Sequence, residues 1–264
     1  MTSLILVTGG TGTLGKLVVP RLREAGAKVR VLSRQAREAD GDVEFVRGDL
    51  DTGAGIDAAV AGAEVIVHCA GAQKGDGDKA RALVRVASRA GTPTPHLVNI
   101  SVVGADRVPQ DGGLDRAMFG YFGSKLDAEQ AVAGSGLPWT TLRATQFHEL
   151  WLTVARALAK LPVIPVATGT RFQPVDAGEV ADRLVELALA SPAGLAPDIA
   201  GPRAYPMADL VRTYLRAVGK RRPLLPVRLP GKAAAAVRAG ANLGTERRNG
   251  HVTWEAFLAA RVGA

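Results

Sequence analysis

The chain alternates short apolar runs with longer stretches in which apolar residues recur at helical spacing. Residues 4–7 form an apolar run typical of a buried parallel strand, and the apolar positions between 14 and 22 share one face of a helix that Gly26 ends. The pattern further predicts strands at 28–32, 43–47, 64–68, 96–101, 139–142 and near 198–200, and helices at 56–61, 78–89, 121–133, 147–159, 176–190 and 207–218. Such repeated βα units predict an α/β fold with a doubly wound, Rossmann-type parallel sheet that binds ligands at the carboxyl ends of its strands.

Length and composition predict one domain. The 264 residues are 47% hydrophobic and no Pro- or Ser-rich linker divides them, so we expect a single domain over residues 1–264. The chain shows no secretory signal pattern, and the longest candidate for a membrane span, residues 151–166, is interrupted by Arg156 and Lys160. We therefore expect a cytoplasmic protein with no membrane partner. The single cysteine, Cys69, excludes an intramolecular disulfide and a thiolate metal cluster.

Three glycines lie between the first strand and the first helix. Gly9 suits a tight turn, Gly12 lets the backbone approach a pyrophosphate, and Gly15 lets the helix pack closely on the strand. A glycine-rich turn can also serve backbone geometry alone, but this one lies within a βαβ unit of the right length. The loop therefore predicts a dinucleotide site in which the N-terminal amides of the helix face the phosphates.

The residues after the second strand indicate which dinucleotide is preferred. An acidic side chain there accepts hydrogen bonds from the ribose hydroxyls of NAD, but this chain has Ser33 and Arg34. A guanidinium can pair with a 2′-phosphate and stack on adenine, whereas a carboxylate would repel that phosphate. We therefore expect NADP(H) in preference to NAD(H), with a plain surface arginine as the alternative interpretation of Arg34.

Motifs at the strand ends resemble those of a known family. Thr8-Gly9-x-x-Gly12-x-x-Gly15 resembles the TGxxGxxG loop of the extended and atypical short-chain dehydrogenase/reductases. Three further motifs resemble the NmrA-like, NAD(P)H-binding group of that family: Asp49-Leu50, Ala70-Gly71 and residues 172–176. The resemblance covers about residues 3–202, and it implies that residues 147–172 and 203–264 contribute a small helical substrate cap.

The resemblance also implies a set of cofactor contacts. Asp49 and Leu50 would flank the adenine, with the Asp49 carboxylate accepting from the exocyclic amine, and Ala70 and Gly71 would pass beneath the cofactor. Asp49 is equally suited to a turn, and Cys69 to a small buried apolar position. The full set of implied cofactor-binding residues is Gly9, Thr11, Gly12, Thr13, Leu14, Gly15, Ser33, Arg34, Asp49, Leu50, Cys69, Ala70, Gly71, Lys125 and Gln146.

The candidate catalytic residues are Tyr121, Lys125 and Ser101. A spacing of four residues places Tyr121 and Lys125 on one helix face. In the short-chain reductases that this pattern resembles, the tyrosine exchanges a proton with the substrate oxygen, the lysine stabilises the phenolate and binds the nicotinamide ribose, and a serine after the fifth strand orients the carbonyl. Ser101 matches that serine, and the stretch from it to Tyr121 is expected to be a loop over the site. The same spacing also arises by chance, and the asparagine that often completes the set has no match.

Residues after the sixth strand are candidates for substrate contact. Phe147, His148 and Trp151 follow that strand, where the family binds nicotinamide and substrate, although Trp151 also suits a packing role. The four histidines are scattered and form no metal-binding pattern, so we expect no metal.

Positive charge is concentrated near one end of the chain. Residues 220–249 carry eight Lys or Arg against one Glu, a charge of +7 out of +8 for the whole chain. Such a segment can bind nucleic acid, anionic lipid or an acidic ligand, or it can be a solvated face. Because no nucleic-acid-binding motif accompanies it, we favour the solvated face.

Three functions are compatible with these observations. The leading hypothesis is an NADP(H)-dependent oxidoreductase that transfers a hydride between nicotinamide and a small carbonyl, quinone or related acceptor. The second is a redox sensor of the NmrA-like type that binds NADP(H) without turnover. The third is a sugar-nucleotide epimerase or dehydratase, for which the sequence indicates no large nucleotide-sugar pocket. The identity of the small-molecule substrate and the formation of a homodimer stay open.

Overall fold

The computed structural model describes residues 3–71, 74–91, 93–244 and 250–262. The strands are β1 (Leu4–Thr8), β2 (Lys28–Ser33), β3 (Val43–Arg47), β4 (Val65–His68), β5 (His96–Val102), β6 (Trp139–Ala144), β7 (Ile164–Ala167), β8 (Arg171–Phe172), β9 (Gly194–Leu195), β10 (Tyr205–Pro206) and β11 (Leu224–Val227). The helices are α1 (Gly15–Glu24), α2 (Ile56–Val60), α3 (Asp76–Ala87), α4 (Gly113–Ala133), α5 (His148–Leu158), α6 (Ala177–Leu189), α7 (Met207–Ala217), α8 (Lys232–Arg238) and α9 (Trp254–Val262).

The chain divides into two compact units. Unit 1 comprises residues 1–101, 124–142 and 178–196, and unit 2 comprises residues 102–123, 143–177 and 197–264. Both units are built from segments that are far apart in the sequence.

Unit 1 contains nearly all of a seven-stranded, mostly parallel sheet flanked by helices. The strand order is β3-β2-β1-β4-β5-β6-β9, and β1 pairs in parallel with β2 on one side and with β4 on the other. The strand order therefore reverses between β1 and β4, which is where open α/β sheets bind their ligands. The doubly wound parallel sheet expected from the sequence is confirmed.

The core of unit 1 consists of aliphatic side chains between this sheet and its helices. Leu6 and Ile66 from adjacent strands, Ile56 from α2 and Leu83 from α3 are at most 1% exposed within a single apolar cluster. Burial of side chains on both faces explains why the strands are almost continuously apolar rather than alternating.

Unit 2 has a more aromatic core and two small sheets. β10 pairs antiparallel with β8, and β11 pairs in parallel with β7. Trp254 of α9 is fully buried, and its indole N–H donates to the Leu210 carbonyl at 3.0 Å. Its ring stacks against Phe257 with centroids 5.7 Å apart. The tail of the chain, which carries no recognisable motif, thus supplies central packing residues of this unit.

The helix that carries the candidate catalytic pair is longer than expected. It begins at Gly113 rather than near Tyr121, so much of the expected loop after Ser101 is helical. Glycines have low helix propensity and made this segment resemble a loop. Gly123, in the part of the helix that was predicted, leaves room for a neighbour, because a Cβ at this position would lie 2.9 Å from Cγ of Gln110.

The expected strand near residues 198–200 is also misplaced. The strand in this region is β9, and Ile199 makes only an isolated bridge to Ala144. Strands β7, β8, β10 and β11 and helices α8 and α9 were not anticipated, because each is short or lacks a clear apolar period. No helix among the residues that the structure describes is long and apolar enough to cross a membrane.

Candidate functional site

The glycine loop brings backbone into close contact with backbone at the switch point of the sheet. Gly9 has a positive φ of 69°, and its carbonyl accepts the Gly12 N–H at 2.9 Å. A Cβ on Gly9 would lie 2.6 Å from the Ala70 nitrogen, and a Cβ on Gly15 would collide with the Gly9 carbonyl oxygen. Both glycines are therefore required by the loop itself, before any ligand is considered.

Gly12 differs from these two glycines because the fold alone does not require it. It is exposed, and a Cβ there would meet only the Gly9 carbonyl oxygen, at 3.3 Å. The backbone N–H groups of Thr11, Thr13 and Leu14 donate to no acceptor in the part of the chain that the structure describes. N–H groups without an acceptor just before α1, next to the Gly12 backbone with no side chain, form a surface that suits a pyrophosphate.

The end of β2 presents an exposed arginine. The Ser33 hydroxyl is buried and accepts the Gln35 N–H at 3.3 Å, which shapes the turn. Arg34 follows on the surface and forms no ion pair with any described residue. Its guanidinium is thus available to an anionic ligand.

The end of β3 contains the turn that was the alternative interpretation of Asp49. The Asp49 carboxylate accepts the Asp51 N–H at 2.9 Å, and Leu50 is 7% exposed. One oxygen of Asp49 therefore shapes the turn, and contact of Asp49 and Leu50 with adenine stays a prediction.

Lys125 forms a buried ion pair at the ends of β4 and β5. Its Nζ lies 3.0 Å from Oδ2 of Asp76, and the two side chains are 7% and 1% exposed. Nζ also donates to the Ile100 carbonyl at 3.5 Å. A Cβ added to Gly71 would be 2.8 Å from Nζ, so the ammonium lies beside the backbone expected beneath the cofactor.

Asp76 was not anticipated from the sequence. Besides forming the ion pair, Asp76 donates its backbone N–H, at the start of α3, to the Ser124 hydroxyl at 3.1 Å. Asp76 and Lys125 are far apart in the sequence, and only the adjacency of α3 and α4 brings them together. No sequence spacing could have indicated the pair.

Polar side chains form a buried row across β1, β4 and β5. Thr8 and Asn99 both pair in register with His68, and the Thr8 hydroxyl is 2.7 Å from Nδ1 of His68. Nε2 of His68, Nδ2 of Asn99 and Oγ of Ser101 are buried without a hydrogen-bond partner among the described residues. Burial, with Lys125 and Lys79 nearby, lowers the pKa of His68 to about 3, so it is neutral at physiological pH.

Cys69 has no feature of a nucleophile. The residue is partly exposed, but desolvation raises the pKa of its thiol to about 12 despite the opposing effect of Lys125. A thiol with this pKa stays protonated at neutral pH and is a poor nucleophile.

Tyr121 is half-buried in the middle of α4. Its ring packs edge-on against Phe122, with centroids 6.1 Å apart and planes inclined at 71°. Lys125 lies one helical turn further along the same helix, as the spacing predicted. Whether Tyr121 acts on a substrate stays a prediction.

The candidates after β6 occupy different environments. His148 is fully buried, with its ring stacked 4.8 Å from Phe257 and its Nε2 donating to the Val252 carbonyl at 3.1 Å. It is therefore a packing residue of unit 2, and its burial lowers its pKa. Phe147 is half-buried, whereas Trp151 lies in the wall of an apolar cleft.

Gln146 carries an unsatisfied amide. Both its Oε1 and its Nε2 are buried and have no hydrogen-bond partner among the described residues. An amide left unpaired within the protein carries a free-energy cost that a bound ligand can offset, which is consistent with the predicted cofactor contact.

The basic segment is partly neutralised and partly outside the described residues. Lys232 pairs with Asp111 at 3.3 Å, and the Arg238 guanidinium donates to the Leu229 carbonyl at 2.7 Å. Glu246, Arg247 and Arg248 lie outside the described residues. Within the described ranges, no group of three or more His, Cys, Asp or Glu side chains could hold a metal ion.

Removal of the Asp76 carboxylate is expected to destabilise the protein. Asp76→Asn should lower the free energy of unfolding by about 3 kcal/mol, because the Lys125 ammonium would stay buried without its counter-charge. Asp78→Asn is the matched control in the same turn of α3, where the carboxylate pairs with Arg81 in solvent. Its effect should stay below about 1 kcal/mol. Urea unfolding at neutral pH measures both, and equal effects would contradict a stabilising buried pair.

Neutral His68 makes stability depend on pH. Between about pH 6.5 and pH 3 the unfolded chain binds a proton that folded His68 does not, so the free energy of unfolding falls as the pH is lowered through this range. The contribution approaches roughly 1.4 kcal/mol per pH unit. His68→Gln should therefore show a shallower loss of stability between pH 6.5 and 4.5 in urea titrations. Parallel pH profiles for the two proteins would contradict a neutral, buried His68.

Comparison with known proteins places the fold and the glycine loop in one family. The sequence model of the family described as NAD(P)H-binding matches residues 9–187. A (4-alkanoyl-5-oxo-2,5-dihydrofuran-3-yl)methyl phosphate reductase from Streptomyces griseus is 28% identical over 224 residues, which cover 82% of this chain and 74% of that protein. An NAD(P)H azoreductase from Xenophilus azovorans is 29% identical over 227 residues, with the same two coverages of 82% and 74%.

A solved structure shares the fold over almost the whole chain. The crystal structure of an NADPH-dependent quinone oxidoreductase from Escherichia coli, complexed with NADPH, has a TM-score of 0.78. The alignment covers 97% of this chain and 99% of that one at 19% sequence identity, which shows a common fold. The family match extends over more than half of the chain and agrees with the strand-end motifs of the atypical, NmrA-like short-chain dehydrogenase/reductases. The chain therefore belongs to the NAD(P)H-binding family.

Proposed function

We propose that this protein is an NADP(H)-dependent oxidoreductase that reduces a carbonyl, quinone or related acceptor. The observation that carries the proposal is the position of Lys125, whose ammonium lies beside Gly71 at the carboxyl ends of the central strands. It follows Tyr121 by one turn of α4. A cation one helical turn from a phenol is the arrangement that proton transfer to a substrate oxygen requires.

The cofactor cradle supports the same function. The unpaired amides of Thr11, Thr13 and Leu14 would hold the pyrophosphate, and Lys125 would donate to the nicotinamide ribose. A bound NADPH supplies the hydride that reduces the acceptor carbon.

The chain's own residues then supply the proton and the orientation. Tyr121 donates its phenolic proton to the acceptor oxygen as the hydride reaches the carbon, and Lys125 stabilises the resulting phenolate. Ser101 donates a hydrogen bond to the same oxygen, a role that suits a hydroxyl without a protein partner among the described residues. Two of the relatives are named as reductases, the dihydrofuranyl-methyl phosphate reductase and the NAD(P)H azoreductase, which supports an oxidoreductase.

The preference for NADP(H) rests on the end of β2. Arg34 is exposed and without an ion pair among the described residues, and no carboxylate follows the strand. A 2′-phosphate would gain a charge-assisted hydrogen bond there, whereas NAD has no anion to offer.

Tyr121→Phe tests the reaction. Loss of the proton donor should lower kcat by about 10²- to 10⁴-fold and leave the Kd for NADPH unchanged. The assay follows NADPH oxidation at 340 nm with a panel of quinones, aldehydes and ketones.

Tyr214→Phe is the matched control, because it removes a phenolic hydroxyl from a residue in the buried core of unit 2. Its kcat should equal that of the wild type. An unchanged kcat in Tyr121→Phe would remove this residue from the mechanism. Tight NADPH binding by the wild type with no turnover across the panel would favour the redox-sensor function instead.

Arg34→Ala tests the choice of cofactor. The Kd for NADPH should rise about 10- to 100-fold, as expected for loss of a hydrogen bond between charged groups, and the Kd for NADH should stay the same. Arg89→Ala is the control, since it removes an equal charge from an exposed position beyond the far end of α3. Equal Kd values for NADPH in Arg34→Ala and wild type would contradict the preference.

A further inference from the structure

Unit 2 contains an apolar cleft that the reaction chemistry does not use. Its volume is about 320 Å³, within the range of small-molecule pockets, and ten of its eleven lining residues are apolar. The walls include Trp151 of α5, Phe172 of β8, Met207 of α7 and Val227 of β11. With further lining residues from α4 and β7, the cleft lies where six elements converge.

The cleft offers almost no polar surface to a ligand. Thr170 is the only hydroxyl in the wall, and it already donates to the Ala167 carbonyl at 2.8 Å. The Trp151 indole N–H has no acceptor among the described residues, but it is shielded from solvent and so presents no polar surface to the space. A charged or heavily hydroxylated ligand would lose its hydration here without compensation.

The wall combines rigid and adaptable side chains. The rings of Trp151 and Phe172 lie 4.4 Å apart at 54°, which fixes an aromatic surface on one side. The sulfur of Met207 accepts the Ala167 N–H at 3.3 Å and is held in place, whereas Met118 is 41% exposed. Thioether side chains adapt to apolar groups of different shape, so Met118 can adjust to an entering group.

We propose that this cleft binds the uncharged, lipophilic part of the acceptor, an aryl ring or an alkyl chain attached to the carbonyl or quinone. The inference rests on the proposed reductase function and names its substrate class. Apolar walls gain free energy from each buried methylene or ring, and they discriminate against sugar nucleotides, whose hydroxyls and phosphates find no partners in the cleft.

Val227→Trp tests the cleft by filling it. Val227 is half-buried on β11 and pairs in register with Ala167, so an indole at this position would occupy the space. Leu225→Trp is the matched control, because it places the same ring on the same strand at a 55% exposed residue outside the cleft wall. If Val227→Trp fails to fold, as judged by its thermal melt, Ala167→Leu fills the cleft from β7.

The first readout is a series of 2-alkyl-1,4-benzoquinones with chains of increasing length. For the wild type and Leu225→Trp, kcat/KM should rise about fourfold per added methylene until the cleft is full. Val227→Trp should lose this dependence on chain length. A wild-type kcat/KM that does not change with chain length would overturn the proposal.

The second readout is binding of the uncharged dye Nile red without cofactor, which does not depend on turnover. Its Kd should be at least tenfold higher for Val227→Trp than for Leu225→Trp. If this difference appears but no acceptor is reduced, the cleft stands as a lipophilic site and the reductase function fails. If quinones are reduced but the two variants bind the dye equally, the cleft proposal fails and the reductase function stands.

Discussion

Close backbone packing between the glycine loop and the end of β4 is the constraint on which the nucleotide site depends. Gly9 touches Ala70, and Gly15 touches Gly9, so side chains are excluded at two positions of this loop. This packing sets where α1 begins, and the N–H groups of Thr11, Thr13 and Leu14 just before it have no acceptor among the described residues. The same contacts that stabilise the strand order around β1 therefore also prepare a place for phosphate.

A second constraint is the balance of charge beneath that site. Lys125 is buried, and the fold tolerates its ammonium because Asp76 lies 3.0 Å away and His68 stays neutral. The polar row of Thr8, His68 and Asn99 thus contributes no further positive charge. A positive charge is thereby fixed near the expected cofactor position, whereas an exposed lysine there would be screened by solvent and less ordered.

The sequence predicted the repetitive part of the molecule and missed what depends on tertiary contacts. The six long strands of the central sheet lie within two residues of their predicted bounds, because buried parallel strands are continuous apolar runs. The start of α4 was missed because Gly113 and Gly120 have low helix propensity, so residues 113–120 resembled a loop. In the candidate site, the spacing of the glycines predicted the loop before α1. The ion pair of Asp76 could not be predicted, because its partner Lys125 comes from another helix. His148 seemed a pocket residue by its position after β6, but the aromatic residues of α9 that bury it come from a segment without a recognisable motif.

The discontinuous make-up of unit 2 affects how the protein can be synthesised. Asp115 at the start of α4 accepts the Ala233 N–H at 3.1 Å across 118 residues of sequence, and Trp254 closes the aromatic core. A nascent chain that has emerged from the ribosome as far as α7 can pair β1 to β5, but it lacks the side chains that complete the core around the cleft. Until α9 emerges, the apolar faces of α5 and α7 stay without their final cover, and during this interval they are open to chaperones.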